Sequence, residues 1–384
     1  MSETANATPA LRLSSSLTGI RGVAALLVCA SHAAFWTGHY TDDLPGRILA
    51  RLEIGVPIFF TLSGFLLFHP WISGLAQATG SPSLRRYADH RVRRILPAYW
   101  VTVLVVYAVY AWFRTDDSEF GRGVGGLVRN LTLTQIYGFG HLHTALTQMW
   151  SLAVEVVFYL ALPAIGWVIT AIVCRRRWRP DLVLVSLVAL LTISPLWALA
   201  THSGSGIDPT ARLWPPAFLS WFVGGMILAV AVQVSVRANP TLLVLIAVLL
   251  FQLSCAGFAG EPTITPTTMS ATVIKLMLYL GAAMCLVGAL VLGPPGSWID
   301  RLLSRPMIVW LGEISYEFFL THLLVLEIVM DILDYRTFTG STVGVFVVTT
   351  VITAPIAWAL HRVTSVIWRR PSGRERLRSV PSTV

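Results

Sequence analysis

Arg21 and His32 stand eleven residues apart inside one long apolar run. On a helix that spacing is three turns plus about 20°, so the two side chains share a face, about 16 Å apart along the axis. Ionisable groups at such depth are costly in lipid and usually face a cavity or a partner. Arg21, near the start of the run, suits a phosphate. His32, deeper, suits proton transfer near neutral pH. A plainer reading stands beside each: Arg21 as an interfacial anchor, and His32 as a hydrogen-bond partner between helices.

Three further groups carry chemical potential. In His90-Arg91-Val92-Arg93-Arg94-Ile95-Leu96-Pro97, Arg91 and Arg94 share a helix face, and two guanidiniums on one face suit a polyanionic phosphate. Anchoring to anionic lipid explains the same cluster. Pro97 is expected in the first turn of the following span, where its missing N–H does little harm. Glu155 is a carboxylate more than one turn inside an apolar run, with no Arg or Lys within a turn. It is expected at the depth of His32, where it would orient the imidazole and raise its basicity; a helix–helix salt bridge or hydrogen bond is the alternative. Trp150, at the head of that run, is expected in an interfacial aromatic belt.

A later run contains Ser315, Tyr316 and His322. Ser315 and His322 are about 10 Å apart along one helix, too far for a dyad. Glu313, Glu317, His322 and Glu327 are expected to give that helix one polar face. Ser63, in Phe59-Phe60-Thr61-Leu62-Ser63-Gly64-Phe65, is either a nucleophile or, with Gly64, a close-packing site. His141 and His143 have metal-ligand spacing but no third ligand, so no metal site is expected.

The elements that must position these residues are membrane helices. Of 384 residues, 55% are hydrophobic and only 12% charged, against about 25% charged in soluble domains. Apolar runs recur near 17–36, 55–74, 96–113, 150–173, 181–200, 215–235, 240–258, 271–293, 306–332 and 342–365, each of roughly membrane-spanning length. The expectation is an all-α polytopic membrane helix bundle of about ten transmembrane helices. The net charge of +9 comes from 27 Arg and one Lys, Lys275, against 19 acidic residues. These punctuate apolar runs instead of covering a soluble face, which excludes nucleic acid as a partner. With the N-terminus inside, 19 basic residues are cytoplasmic, 7 are external, and Arg21 and Lys275 lie within spans. Both termini are therefore expected in the cytoplasm. The four cysteines show neither CxxC nor zinc spacing. A membrane domain over 15–366 is expected, between a flexible tail at 1–14 and a basic cytoplasmic tail at 367–384. The 115–149 connection has enough Leu, Tyr and Phe to pack on the helices.

Taken in order, these segments resemble acyltransferase family three, membrane O-acyltransferases that modify bacterial envelope sugars and lipids and some antibiotics. The likeness begins at Leu17-Thr18-Gly19-Ile20-Arg21-Gly22-Val23-Ala24-Ala25 with its Arg-x10-His spacing. It continues through Phe59–Phe65, through Arg91-x-x-Arg94 leading into Pro97-Ala98-Tyr99-Trp100, and through Trp150-Ser151-Leu152 with Glu155, Phe158, Tyr159 and Pro163. It ends at Ile314-Ser315-Tyr316 and His322. Phe318 and Phe319 stand where the family often has Tyr or another aromatic. The resemblance implies acyl transfer, often acetyl, from cytoplasmic acyl-CoA as a co-substrate to an acceptor hydroxyl, with no permanently bound cofactor. It assigns Arg21, Arg91 and Arg94 to the CoA phosphates and His32, aided by Glu155, to catalysis. Trp150, Ser63, Ser315, Tyr316 and His322 then support substrate or structure. Some members carry a fused soluble hydrolase-like domain; none is read here, so the membrane unit is expected to complete the transfer.

The implied partners are acyl-CoA, membrane lipid, and a glycan, glycolipid or small-molecule acceptor. The implied place is a bacterial inner membrane, and the Arg-rich, Lys-poor composition suggests a high-GC bacterium. A transporter or flippase with a His/Glu proton relay is the rival reading.

Overall fold

The computed structural model describes residues 9–113, 120–203, 207–263 and 267–368. The helices in chain order are α1 (Pro9–Trp36), α2 (Leu44–Arg51), α3 (Gly55–Ala76), α4 (Leu84–Trp112), α5 (Gly123–Leu131), α6 (Trp150–Trp167), α7 (Pro180–Leu191), α8 (Ile193–His202), α9 (Leu219–Gln233), α10 (Pro240–Ser254), α11 (Met269–Val291), α12 (Trp298–Leu303), α13 (Pro306–Glu313), α14 (Ser315–Ile332) and α15 (Thr342–Trp368). Among the described residues there is no strand. Eight helical segments are long and apolar enough to cross a membrane, or nine when the bent pair α13–α14 counts as one span. In lipid only helices and closed barrels satisfy their own backbone polar groups. The chain is an all-α polytopic bundle. The seventh apolar run, 240–258, forms α10, which at 15 residues is about 22 Å long and shorter than a full span.

Polar residues punctuate the apolar helices as capping chemistry requires. Asp43 accepts from the Gly46 N–H at the start of α2, Ser83 caps α4, Asn239 caps α10 and Thr268 caps α11. α1 runs through the middle of the bundle, against α2, α3 and α11 to α15. α7, α10 and α15 lie outside and expose Val185, Leu245, Leu249, Val351 and Ile356. A soluble protein would hide such faces, and acyl chains suit them.

Small residues set the closest crossings, as they do where lipid supplies no hydrophobic drive between helices. Gly19 and Gly22 on α1 lie under α12 and α13. A Cβ on Gly19 would fall 2.0 Å from the Leu303 carbonyl oxygen, and one on Gly312 would fall 1.9 Å from that of Thr18. Arg21 sits between the two α1 glycines, so the sequence that admits α13 also turns Arg21 into the bundle.

Three sequence expectations are corrected. Pro97 lies inside α4, not in its first turn. Ser83 starts the helix fourteen residues earlier, so the arginine cluster rides on the same rigid helix. The 306–332 run is broken, with α13 and α14 meeting at 72°. Its acidic groups therefore share no single polar face: Glu313 is exposed, while Glu317 and Glu327 are buried against His361 and Tyr110. Arg51, one of the seven basic residues expected in external loops, is 1% exposed. It donates to the carbonyls of Ser254 (2.8 Å) and Gly260 (2.8 Å), closing the C-terminal end of α10, where orphan carbonyls attract a cation.

Candidate active site

α3 carries the first cavity's floor because its sequence alternates bulk with small groups. Gly64 is pressed against α9, where a Cβ would lie 1.9 Å from the Phe222 carbonyl oxygen, and Gly225 of α9 returns the contact at Thr61. The adjacent Ser63 is thereby directed away from α9. Gly64 is thus a close-packing site, and Ser63 faces a cavity.

That cavity, of about 320 Å³, lies between α1, α3, α4, α6 and α14. Arg21, Arg91 and Arg94 line it together, though the sequence separates them by up to seventy-three positions. Among the described residues none of the three forms an ion pair, whereas the neighbouring Arg93 is held by Asp89 at 2.6 Å. Glu155 is the one acidic residue in the lining, so the three guanidiniums leave a surplus of positive charge. Ser315 and Tyr316 also line it, and they open α14. A helix N-terminus, with unsatisfied N–H groups and a positive dipole end, favours the same negative ligand. The Tyr316 hydroxyl donates to the Ile95 carbonyl (2.9 Å), and Ser315 to that of Gly312 (2.8 Å). These bonds tie α14 to α4 and α13.

Glu155 does not reach His32. Ser63 donates to its Oε1 at 2.6 Å, and the Tyr159 hydroxyl donates to the same oxygen. The arginine side of the bundle therefore holds Glu155, against the expected depth match with His32. The physical reason lies upstream: a 3₁₀ turn, Thr144–Met149, continues into α6, so the span begins at Thr144 and not at Trp150. Glu155 is consequently two turns deeper than a count from Trp150 suggests. Tyr159, one turn on, belongs to the same face, with the Arg91 guanidinium 5.7 Å from its ring centroid. The i,i+4 spacing of Glu155 and Tyr159 was the available signal for this residue.

A second cavity, of about 450 Å³, lies on the other side of α3's first turn, and Val56 lines both. Here His32 is exposed to the interior, with Trp150, Trp197, Phe218 and Trp221 as walls. Trp150 packs on Phe218 at 4.7 Å between ring centroids, inside the bundle instead of in an interfacial belt. One ion pair lies in this wall, Lys275 with Glu53, and Tyr279 donates to the same carboxylate oxygen at 3.1 Å. A lone lysine within a span required a partner; its identity was invisible because Glu53 precedes the apolar run of α3.

His32 is held from α14. Its Nδ1 lies 2.8 Å from Nε2 of His322, which is fully buried. His322 Nδ1 in turn lies 2.8 Å from the Phe319 carbonyl oxygen and 3.2 Å from that of Phe318. The bundle thus gathers nine of the ten expected site residues around two adjoining cavities and places the tenth, His322, directly behind His32. His143 is buried between the rings of Tyr107 and Tyr110, and no cluster of metal-binding side chains exists among the described residues.

A family model described as an acyltransferase domain matches residues 14–362. Acyltransferase MdmB of Streptomyces mycarofaciens is 27% identical over 333 residues, covering 81% of this chain and 79% of that protein. Peptidoglycan O-acetyltransferase OatA of Listeria monocytogenes is 24% identical over 340 residues, covering 83% of this chain and 50% of its own length. The chain thus spans half of that relative. A putative membrane-bound transacylase, BcsY of Komagataeibacter xylinus, is 26% identical over 325 residues, covering 80% of this chain and 71% of that protein. No solved structure matches.

Proposed function

Because the chain belongs to the acyltransferase domain family, we propose that this multi-pass membrane protein moves an acyl group, acetyl first among the candidates, from acyl-CoA to an acceptor hydroxyl. The observation that carries the reading is the pair of cavities meeting at Val56, one rich in free arginines and the other holding His32. Arg21, Arg91 and Arg94 bind the phosphates of the donor from the cytoplasmic side through bidentate guanidinium contacts. The pantetheine arm passes Val56 and brings the thioester to His32. His32 removes the proton from the acceptor hydroxyl as its oxygen attacks. Glu155 keeps Ser63 and Tyr159 in place beside the arginines and does not act on His32.

The second cavity also narrows the acceptor. Its walls mix eight Phe, Trp and Tyr side chains with aliphatic and polar ones, and its volume is that of a pocket for a drug-sized molecule. It fits an amphipathic acceptor, a small molecule or the head of a glycolipid, better than an extended polar glycan. Both termini lie in the cytoplasm of a bacterial cell in this reading, with the membrane domain at 15–366.

The test uses sealed native vesicles and labelled acetyl-CoA. Inverted vesicles, with the cytoplasmic face outward, release CoA and label an acceptor, and right-side-out vesicles do so only after permeabilisation. His32→Ala at equal expression lowers transfer by at least about a hundredfold, the usual contribution of a general base. Full transfer by His32→Ala, or vectorial solute movement without CoA consumption, refutes the reading.

A further inference from the structure

We infer that His322 is a positioning residue that fixes the tautomer of His32, turning His32 Nε2 into the free base of the second cavity. The inference rests on the acyl-transfer reading above. It begins with two carbonyl groups. His322 Nδ1 faces the oxygens of Phe319 (2.8 Å) and Phe318 (3.2 Å), and both are acceptors only. A buried ring nitrogen between two acceptors must carry the proton. In a neutral imidazole the other nitrogen is then a bare lone pair, so His322 Nε2 accepts. Its partner at 2.8 Å, His32 Nδ1, is therefore the donor. His32 Nε2 is left unprotonated, and it is the ring nitrogen that remains for the cavity His32 lines.

The ring geometry supports a directed hydrogen bond over a stack. The two planes differ by 5° and the centroids are 5.1 Å apart. With 2.8 Å between the bonded nitrogens, the remainder is two imidazole radii, so the rings lie edge to edge in one plane. Each nitrogen's lone pair or N–H points along the line between them. A backbone carbonyl thus reaches the catalytic base through one intervening ring, the arrangement by which a second group sets which nitrogen of a histidine is basic.

The chemistry closes. As the acceptor oxygen forms its bond to the thioester carbonyl carbon, His32 Nε2 takes the hydroxyl proton. The imidazolium keeps its Nδ1–H bond to His322. Collapse of the tetrahedral adduct breaks the C–S bond, and the CoA thiolate takes the proton from Nε2. The products are an ester and CoA thiol, and both histidines return to their starting tautomers without any proton entering or leaving through His322.

The test compares His322→Gln, His322→Leu and His32→Ala at equal amounts of monodisperse protein in detergent, with labelled acetyl-CoA as donor. Gln keeps an acceptor for His32 Nδ1–H, and Leu keeps the bulk without one. His322→Leu is expected to lose ten- to a hundredfold in kcat with KM for acetyl-CoA within twofold, and His322→Gln to recover to within about fivefold of wild type. Equal losses in Gln and Leu, or full kcat in Leu, overturn the inference. Should both variants misfold, 15N-histidine NMR of the wild-type protein decides: His32, assigned from the resonance lost in His32→Ala, shows the Nδ1–H form, and the Nε2–H form overturns the inference. Activity retained by His32→Ala instead overturns the acyl-transfer reading itself.

Discussion

The arginines of the first cavity are distinguished from other arginines of this chain by what they lack. Arg93 is neutralised by Asp89, Arg47 by Asp42, and Arg51 is surrounded by carbonyls. Arg21, Arg91 and Arg94 face one cavity whose lining holds a single carboxylate, Glu155. Charge-assisted hydrogen bonds of this kind contribute about 1.5–3 kcal/mol each. Arg94→Ala should therefore raise KM for acetyl-CoA about ten- to a hundredfold while leaving kcat within a few fold, since ground-state phosphate binding is uniform binding. Initial-rate kinetics check this, and an unchanged KM removes Arg94 from the donor site. At this scale the sequence revealed residue types more readily than pairings. Arg91 and Arg94 share a face by simple spacing. That Glu155 meets Ser63, and that His32 meets His322, depends on crossings between helices far apart in the chain.

Among the elements, α1 does the most to unite the site, since it carries both Arg21 and His32. Its position is set by contacts that no side chain can intrude upon, at Gly19, Gly22 and the facing Gly312. The sequence Thr18-Gly19-Ile20-Arg21-Gly22 thus reads as a packing surface for α12 and α13 with a functional arginine on its other side. Gly312→Val would place a Cβ 1.9 Å from the Thr18 carbonyl oxygen. Overpacking of that kind costs about 1–3 kcal/mol, and it would part Arg21 from Ser315 at the head of α14. A lowered thermal midpoint in detergent together with reduced transfer is expected. Gly125→Ala, where a Cβ meets nothing within 4 Å, should change neither; equal midpoints for the two variants would count against glycine packing as the determinant. The bend between α13 and α14 was hidden from the sequence because Glu313 and Glu317 also fit one polar face of an unbroken helix. Pro97 misled in the other direction, since a membrane helix tolerates an internal proline that would end a soluble one.

Across the whole molecule, the spans were legible because lipid enforces long apolar runs with internally satisfied backbone. The interior was less legible, because a cavity is defined by what fails to fill it. Two such spaces adjoin among the described residues, and the single residue lining both is Val56, at the first turn of α3 beside the close contact of Gly55 with Ala24 of α1. In the proposed path, a donor anchored among the arginines reaches the base at His32 across that residue. Bulk at Val56 should then separate binding from transfer. Val56→Trp is expected to bind CoA with an affinity near that of wild type by calorimetry, since the arginines are untouched, yet to lose most acceptor-dependent CoA release. Val56→Ala widens the passage and should keep turnover, with longer acyl groups gaining relative to acetyl. A Val56→Trp protein that transfers at the wild-type rate would mean that donor and acceptor meet by another route, and that the two cavities are neighbours without being two halves of one path.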